Sequence, residues 1–208
     1  MISLEPRLTL DSEHVYRVDG QPVVSVTQVL KMERLIDSRY FSPEAAQRGV
    51  AVHAAVEQDD TGVLEEAFLD PRVGDYLEGW RRFRHEKGFT PKMSEIRMFS
   101  RSLHLAGTAD SVGTMDGIRG LVLVDVKTGA PSPATSLQTA AYGALLHESN
   151  GEVVAARFAV QVTADGTFYL HRYPDMNDYL TFRAVLQTHR WRARNLPSLT
   201  EHLESEAA

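Results

Sequence analysis

GTADSVGTMDGIRGLVLVDVKTG, Gly107 to Gly129, contains two strands and the sharp turn between them. Leu121 to Val126 is apolar except for Asp125, the pattern of a strand covered on both faces. A lone carboxylate buried there costs several kcal/mol or changes its protonation, so Asp125 needs a partner or a metal. Lys127 lies two positions on, and the strand period of two puts both side chains on one face. Leu103–Thr114 and Arg119–Lys127 read as a hairpin across Met115–Ile118. A four-residue loop, Asp116 to Arg119, sets Asp110 directly opposite Asp125. A two-residue turn at Asp116-Gly117 makes the two acids diagonal neighbours. Either way they share a face, with Cβ atoms about 4.5–8 Å apart; an odd-length loop would separate them. Two carboxylates so placed repel unless one is protonated or a cation lies between them. Hard oxygen ligands beside Lys127 suit Mg²⁺ or Mn²⁺. A solvated Asp–Lys ladder is the plainer reading, but the strand around Asp125 is too apolar for it.

Working outward, the chain reads as a mixed α/β arrangement. Residues 7–26 alternate around Asp19-Gly20 as a hairpin, and Val26–Met32 begins a short helix. Ser42-Pro43 caps a helix that runs to about Gln58, and a second helix spans Val73–Lys87 and stops at Gly88. Lys92–Ser100 is the strand before the hairpin. After it come a helix over Ala134–Glu148, strands at Val153–Val162 and Thr167–Tyr173, a helix over Asp175–Asn195, and a polar tail with Glu201, Glu204 and Glu206. This gives the expected division of a single unit, 1–208: an N-terminal hairpin and short helix (1–32), a core (43–173), and a C-terminal helix and tail (174–208).

In RGVAVHAAVE, Gly49 and His53 are four apart and share a helix face. Glycine inside a helix is unfavourable by roughly 1 kcal/mol. Its presence suggests close packing against another backbone, with His53 on the same buried face. A lone histidine there is more often core than ligand, and Glu57 one turn on adds little. In QTAAY, Gln138 and Tyr142 share a face, which could equally be a polar stripe with a core tyrosine.

The formal charge is 22 basic against 28 acidic residues, −6, which excludes a protein that coats nucleic acid and leaves only localised positive patches. The charge is uneven. Glu57–Glu78 holds eight acids and one arginine, whereas Arg183–Arg194 holds four arginines and no acid. Arg81, Arg82, Arg84 and Lys87 form a second basic cluster. Trp191 and Tyr179 could stack on single-stranded bases, although core packing is the more ordinary role of each. With no cysteine, the chain has no disulfide, thiolate zinc site, cysteine-held iron–sulfur cluster or cysteine nucleophile. This agrees with a reducing cytoplasm. No run reaches the roughly 18 apolar residues of a membrane span, and MISLEPRLTLDSE lacks the form of a secretory signal.

Four motifs in order, RGVAVH (Arg48–His53), GTAD (Gly107–Asp110), DVKTG (Asp125–Gly129) and QTAAY (Gln138–Tyr142), resemble the PD-(D/E)XK nuclease superfamily in its RecB-like exonuclease branch. SVTQVL (Ser25–Leu30) resembles the segment that precedes the first motif in phage members. The resemblance implies a restriction-endonuclease-like αβββαβ core, with a central mixed sheet flanked by helices and the site at one edge of that sheet. It implies His53, Asp110 and Asp125 as ligands of one or two Mg²⁺ or Mn²⁺ ions, with help from the Val126 carbonyl. Lys127 would orient or activate water. Gln138, Tyr142 and Arg48 would brace the site or touch DNA, and Glu95 matches, loosely, an acid on the first strand of some relatives. DVK carries Asp where many relatives carry Glu, which alters metal spacing.

The expected activity is therefore a metal-dependent deoxyribonuclease, an exonuclease of phage or bacterial recombination and repair without an iron–sulfur cluster. Its expected place is the cytoplasm, the host's if phage-encoded. The resemblance also raises a homo-oligomer and an annealing-protein or helicase partner. The rivals are a silent DNA-end-binding or assembly protein of the same fold, which has no reason to keep Asp110, Asp125 and Lys127 together, and a metal-free hydrolase, which Lys127 and His53 suit less well.

Overall fold

The computed structural model describes residues 7–11, 15–36 and 42–197. The acidic tail at Glu201, Glu204 and Glu206 lies outside them. Three short strands, β1 (Leu8–Leu10), β2 (Tyr16–Val18) and β3 (Gln21–Val23), form an antiparallel sheet, so the expected hairpin at Asp19-Gly20 gains a third strand. Helix α1 (Val26–Met32) starts at a reciprocal cap: Ser25 Oγ accepts from the Gln28 N–H while Gln28 Oε1 accepts from the Ser25 N–H. Helices α2 (Pro43–Thr61) and α3 (Pro71–Lys87) follow the same local logic. Each has a side-chain cap, Ser42 or Asp70, then proline in the first turn, and ends at a left-handed glycine, Gly62 or Gly88.

Strands β4 (Thr90–Ser100), β5 (Leu105–Met115) and β6 (Ile118–Lys127) run as an antiparallel meander. Helix α4 (Ala134–Asn150) crosses over to β7 (Val154–Val162), parallel to β6, and β8 (Phe168–Arg172) closes the far edge before helix α5 (Asp178–Asn195). The order β4-β5-β6-β7-β8 puts β6 in the centre. That is why Val122 to Val126 can be continuously buried. The expected αβββαβ order and mixed sheet are what the structure shows.

Each face of the sheet has its own core. On one side Trp80, Phe83 and Leu77 of α3 and Val52 and Val56 of α2 cover Val122, Val124, Val126, Val160 and Val162. Trp80, Phe83, Phe89 and Phe168 form a ring cluster with centroids 5.2–5.8 Å apart. On the other side α1, α4 and α5 bury Leu30, Leu145, Leu146, Phe182 and Leu186 against Leu105, Ala109 and Leu123.

Both expected hairpin registers occur in turn. Met115 pairs with Ile118 across the two-residue turn, but Gly113 pairs with Val122 and Ser111 with Val124. The slip falls at Arg119–Leu121, where Gly120 takes φ +111°, so a bulge in β6 absorbs two residues. A slip of two preserves the faces, and beyond it the register is the one that sets Asp110 across from Asp125.

The uneven charge is resolved inside the fold. Arg81 pairs with Asp59 and Glu66, and Arg84 with Asp59 and Asp60, which clips α3 to the acidic end of α2. Arg82 is held by Glu86 and the Gly166 carbonyl. Arg81, Arg82 and Arg84 are therefore tied to the fold rather than presented as a free basic face.

Candidate active site

The β5–β6 ladder ends at Ser111–Val124. One residue on, the Asp110 side chain takes the place of a main-chain acceptor, and its Oδ2 accepts from the Val126 N–H at 2.6 Å. Val126 thus meets the site through its backbone, while its side chain is buried in the core. On the other side of Asp110, Ser94 pairs with Ser111 and Ile96 with Ala109, which sets Glu95 beside Asp110. Glu95 has φ +48°, a left-handed backbone in mid-strand. Such a conformation is unfavourable for a residue with a Cβ and persists only where its surroundings impose it.

Helix α2 supplies the third group. His53 Nδ1 lies 3.5 Å from Asp110 Oδ1 and 3.7 Å from Glu95 Oε1. One ligand atom from each of His53, Glu95 and Asp110 falls within 4.8 Å of the others. His53 is partly open, its side chain 30% exposed, so it is not the fully buried residue the sequence suggests. Glu57, one turn on, is exposed and outside the cluster.

Asp125 is almost wholly buried, and its Oδ2 contacts Lys127 Nζ at 2.6 Å, within ion-pair distance but off the angle of an aligned hydrogen bond. Burial pushes the Asp125 carboxyl up to about 6; Lys127 opposes this and the Asp110 charge adds to it. Burial also works against ionisation of Asp110, but His53, Lys127 and the Val126 N–H outweigh it and hold its pKa below the ordinary value. The Asp110 charge raises His53 to about 10, against the opposing effect of burial. Burial disfavours the charged form of Lys127, yet the Asp125 and Asp110 carboxylates keep it protonated. The site is a knot of alternating charges with a surplus of carboxylates.

Gln138 and Tyr142 of QTAAY are joined to each other and to α1. Gln138 Nε2 donates to the Tyr142 hydroxyl at 2.9 Å, and both side chains lie 3.3 Å from Thr27 Oγ1. Gln138 and Tyr142 are both buried. Thr27 lies in SVTQVL and ties α1 to the site, a role its sequence position does not reveal. GTAD needs its glycine because a Cβ on Gly107 would sit 2.8 Å from Tyr142 Cε1. Gly49 is different. A Cβ there meets only Thr128 Oγ1 at 3.9 Å, so the close backbone approach expected of it is absent. Arg48 lies outside the cluster, its guanidinium 5.6 Å from the centroid of the Tyr76 ring.

The last helix is only partly free. Arg190 donates to the Leu103 carbonyl, Arg192 pairs with Glu33, and Arg183 lies over the Tyr179 ring. Trp191 is 53% exposed on α5, so it does not take the core role its residue type favours.

Two carboxylates and an imidazole thus lie within 4.8 Å of one another, with the Asp125–Lys127 pair on the adjoining strand, a set of groups able to hold a divalent ion. The profile of the PD-(D/E)XK nuclease superfamily matches residues 61–204, and this chain belongs to that superfamily. GTAD, DVKTG and QTAAY lie within the match, whereas RGVAVH and SVTQVL precede it. Among solved structures, a candidate exonuclease from Eubacterium rectale superposes with a TM-score of 0.54 at 12% identity, over 89% of this chain and 82% of that one. LHK-Exo in complex with dAMP gives 0.39 at 14% identity, over 89% of each chain. No curated protein matches the sequence. No helix among the described residues is long and apolar enough to cross a membrane.

Proposed function

We propose that this nuclease is a divalent-metal-dependent deoxyribonuclease that works as an exonuclease. The observation that carries the reading is the convergence of His53, Glu95 and Asp110 beside the Asp125–Lys127 pair. The donor set is two carboxylates and an imidazole, with a third carboxylate adjacent, and it suits Mg²⁺ or Mn²⁺. His53, Asp110 and Glu95 would hold the ion, with Asp125 and the Val126 carbonyl completing its surroundings. Ligation through His53 requires the neutral imidazole, so the proton held there would leave on binding. A divalent ion held there would polarise the scissile phosphate and lower the pKa of an attacking water. Lys127 positions that water and offsets charge that builds on phosphorus. Asp110 fixes His53 and the Val126 N–H, and the Gln138–Tyr142–Thr27 triad keeps the sheet end from shifting.

DNA as substrate, end-directed cleavage and a place in phage or bacterial recombination or repair rest on the motif resemblance. Digestion of end-labelled linear and circular DNA, single- and double-stranded, with Mg²⁺, Mn²⁺ or EDTA tests the reading. Linear DNA should be shortened from its ends with metal only, circles should survive, and Asp110→Ala and Asp125→Ala should be folded and inactive. Cleavage in EDTA, or by either variant, would refute the metal site. Nicked circles would refute the exonuclease. A folded wild-type chain that binds ends without cutting would leave the silent DNA-binding protein as the better account.

A further inference from the structure

Seven residues beyond His53, and so two helical turns along the same stripe of α2, lies Asp60. Its side chain is 1% exposed, and its two oxygens face different parts of the protein. Oδ1 accepts from Trp80 Nε1 at 2.8 Å and Arg84 Nη1 at 3.1 Å, both on α3. Oδ2 accepts from Ser94 Oγ at 3.1 Å and Ser111 Oγ at 3.3 Å, on β4 and β5. Those serines are direct cross-strand partners. Ser94 immediately precedes Glu95, and Ser111 immediately follows Asp110. One carboxylate oxygen therefore clamps the two strands at the step next to the acids that face His53, and it does so from the helix that carries His53.

The left-handed backbone at Glu95 lies between neighbours held on opposite faces of the sheet. Ile96 and Met93 face the α4 side and pack with Ala109 and Val112. Ser94 and Ser111 face Asp60 on the α2 side. Glu95 lies opposite Asp110 with no shift of register there, and its left-handed φ breaks the face alternation between Ser94 and Ile96 while its side chain comes within 3.7 Å of His53 Nδ1.

We propose that Asp60 is a positioning residue of the nuclease: through Ser94 and Ser111 it sets the β4–β5 geometry that brings Glu95 and Asp110 to bear on His53. The inference rests on the metal-centre reading above. The alternative is that Asp60 merely joins α2 to α3. The two arms of the carboxylate separate these roles, because the Oδ1 arm serves α3 and the Oδ2 arm serves the site.

The test compares four variants of the full chain by Mn²⁺ calorimetry, by cleavage rate at saturating DNA across a Mn²⁺ titration, and by thermal melting. Ser94→Ala/Ser111→Ala removes the Oδ2 arm and should weaken Mn²⁺ binding by about 10–100-fold, the usual effect of losing a support behind metal ligands, with the KM for DNA unchanged. Asp60→Asn should remain near wild type in Mn²⁺ affinity, because its amide can donate to both serine oxygens while its carbonyl accepts from Trp80. Arg84→Ala removes the charged donor of the α3 arm, leaving Trp80, and should lower the melting temperature without changing Mn²⁺ affinity. Asp110→Asn is the reference for the metal centre. If Asp110→Asn loses Mn²⁺ and the folded serine variant does not, positioning is overturned and the metal reading stands. If Asp110→Asn binds Mn²⁺ like wild type, the metal reading falls and the inference with it. Should the double serine variant not fold, Ser94→Ala alone is judged by the same criterion.

Discussion

Gly107→Ala and Gly49→Ala make the same chemical change in two motif glycines, and the structure assigns them opposite signs. A Cβ on Gly107 would lie 2.8 Å and 3.2 Å from Tyr142 Cε1 and Cδ1 and 3.1 Å from Leu145 Cδ1. Carbon atoms rest about 3.5–4.0 Å apart, so the ring must retreat by roughly 0.7 Å. It has nowhere to go, since Tyr142 and Leu145 are buried and the Tyr142 hydroxyl is bound to Gln138. Overpacking of this kind costs about 1–3 kcal/mol. At about 2–4 °C per kcal/mol for a chain of this size, Tm should fall by roughly 2–12 °C. Gly49 lies inside α2 with only Thr128 Oγ1 near, at an ordinary 3.9 Å. Alanine there gains up to about 1 kcal/mol of helix propensity and should raise Tm by about 2–4 °C. Calorimetric melting in EDTA reads both without metal. Gly107→Ala melting at or above wild type, or Gly49→Ala melting below it, would refute the packing argument.

Two further outcomes follow from individual contacts. Lys127→Ala should slow cleavage by orders of magnitude while Mn²⁺ affinity measured by calorimetry is retained, because an ammonium is not a ligand; loss of Mn²⁺ binding would make Lys127 structural. Glu148→Gln should lower Tm at neutral pH. Burial disfavours the Glu148 charge, but Ser100 and Ser102 outweigh it and hold the carboxyl below its ordinary 4.5. A depressed acid contributes stability above its unfolded pKa and loses it as pH falls through the folded one. The Tm difference between Glu148→Gln and wild type should therefore close on acidification below 4.5, and a difference constant with pH would exclude the charge as its cause.

The Arg190 and Leu103 contact bears on where a nucleic acid could run. Basic residues that look alike in sequence divide here into those that hold the fold, Arg81, Arg84, Arg190 and Arg192, and those exposed on α5, Arg183 and Arg194. Arg81, Arg84 and Arg192 are already paired with acids and have less to offer a phosphate chain, whereas the Arg190 partner is a neutral carbonyl, so its charge is not cancelled.

The sequence by itself determined what is local. Ser42-Pro43 marks a helix start because the Ser42 side chain reaches a donor three residues away; the caps at Ser25 and Asp70 work at the same short range, yet the pattern placed the second helix from Val73 rather than Pro71. The apolar run around Asp125 foretold a strand buried on both faces, and its one charge pointed to the candidate site, because periodicity and polarity are properties of neighbouring residues. Even the register was legible as two alternatives, both of which occur on either side of Gly120. The tertiary structure decided what depends on distant segments. Glu95 could not be aligned from its own neighbours, because its place comes from Ser94, Ser111 and Asp60, set on three elements. Thr27 joins the site across 115 residues through Tyr142. Gly49 and Gly107 are indistinguishable as motif letters, since the space around an absent Cβ is defined only once α4 lies on the sheet. The free charges, likewise, could not be counted until α2 and α3 had paired theirs.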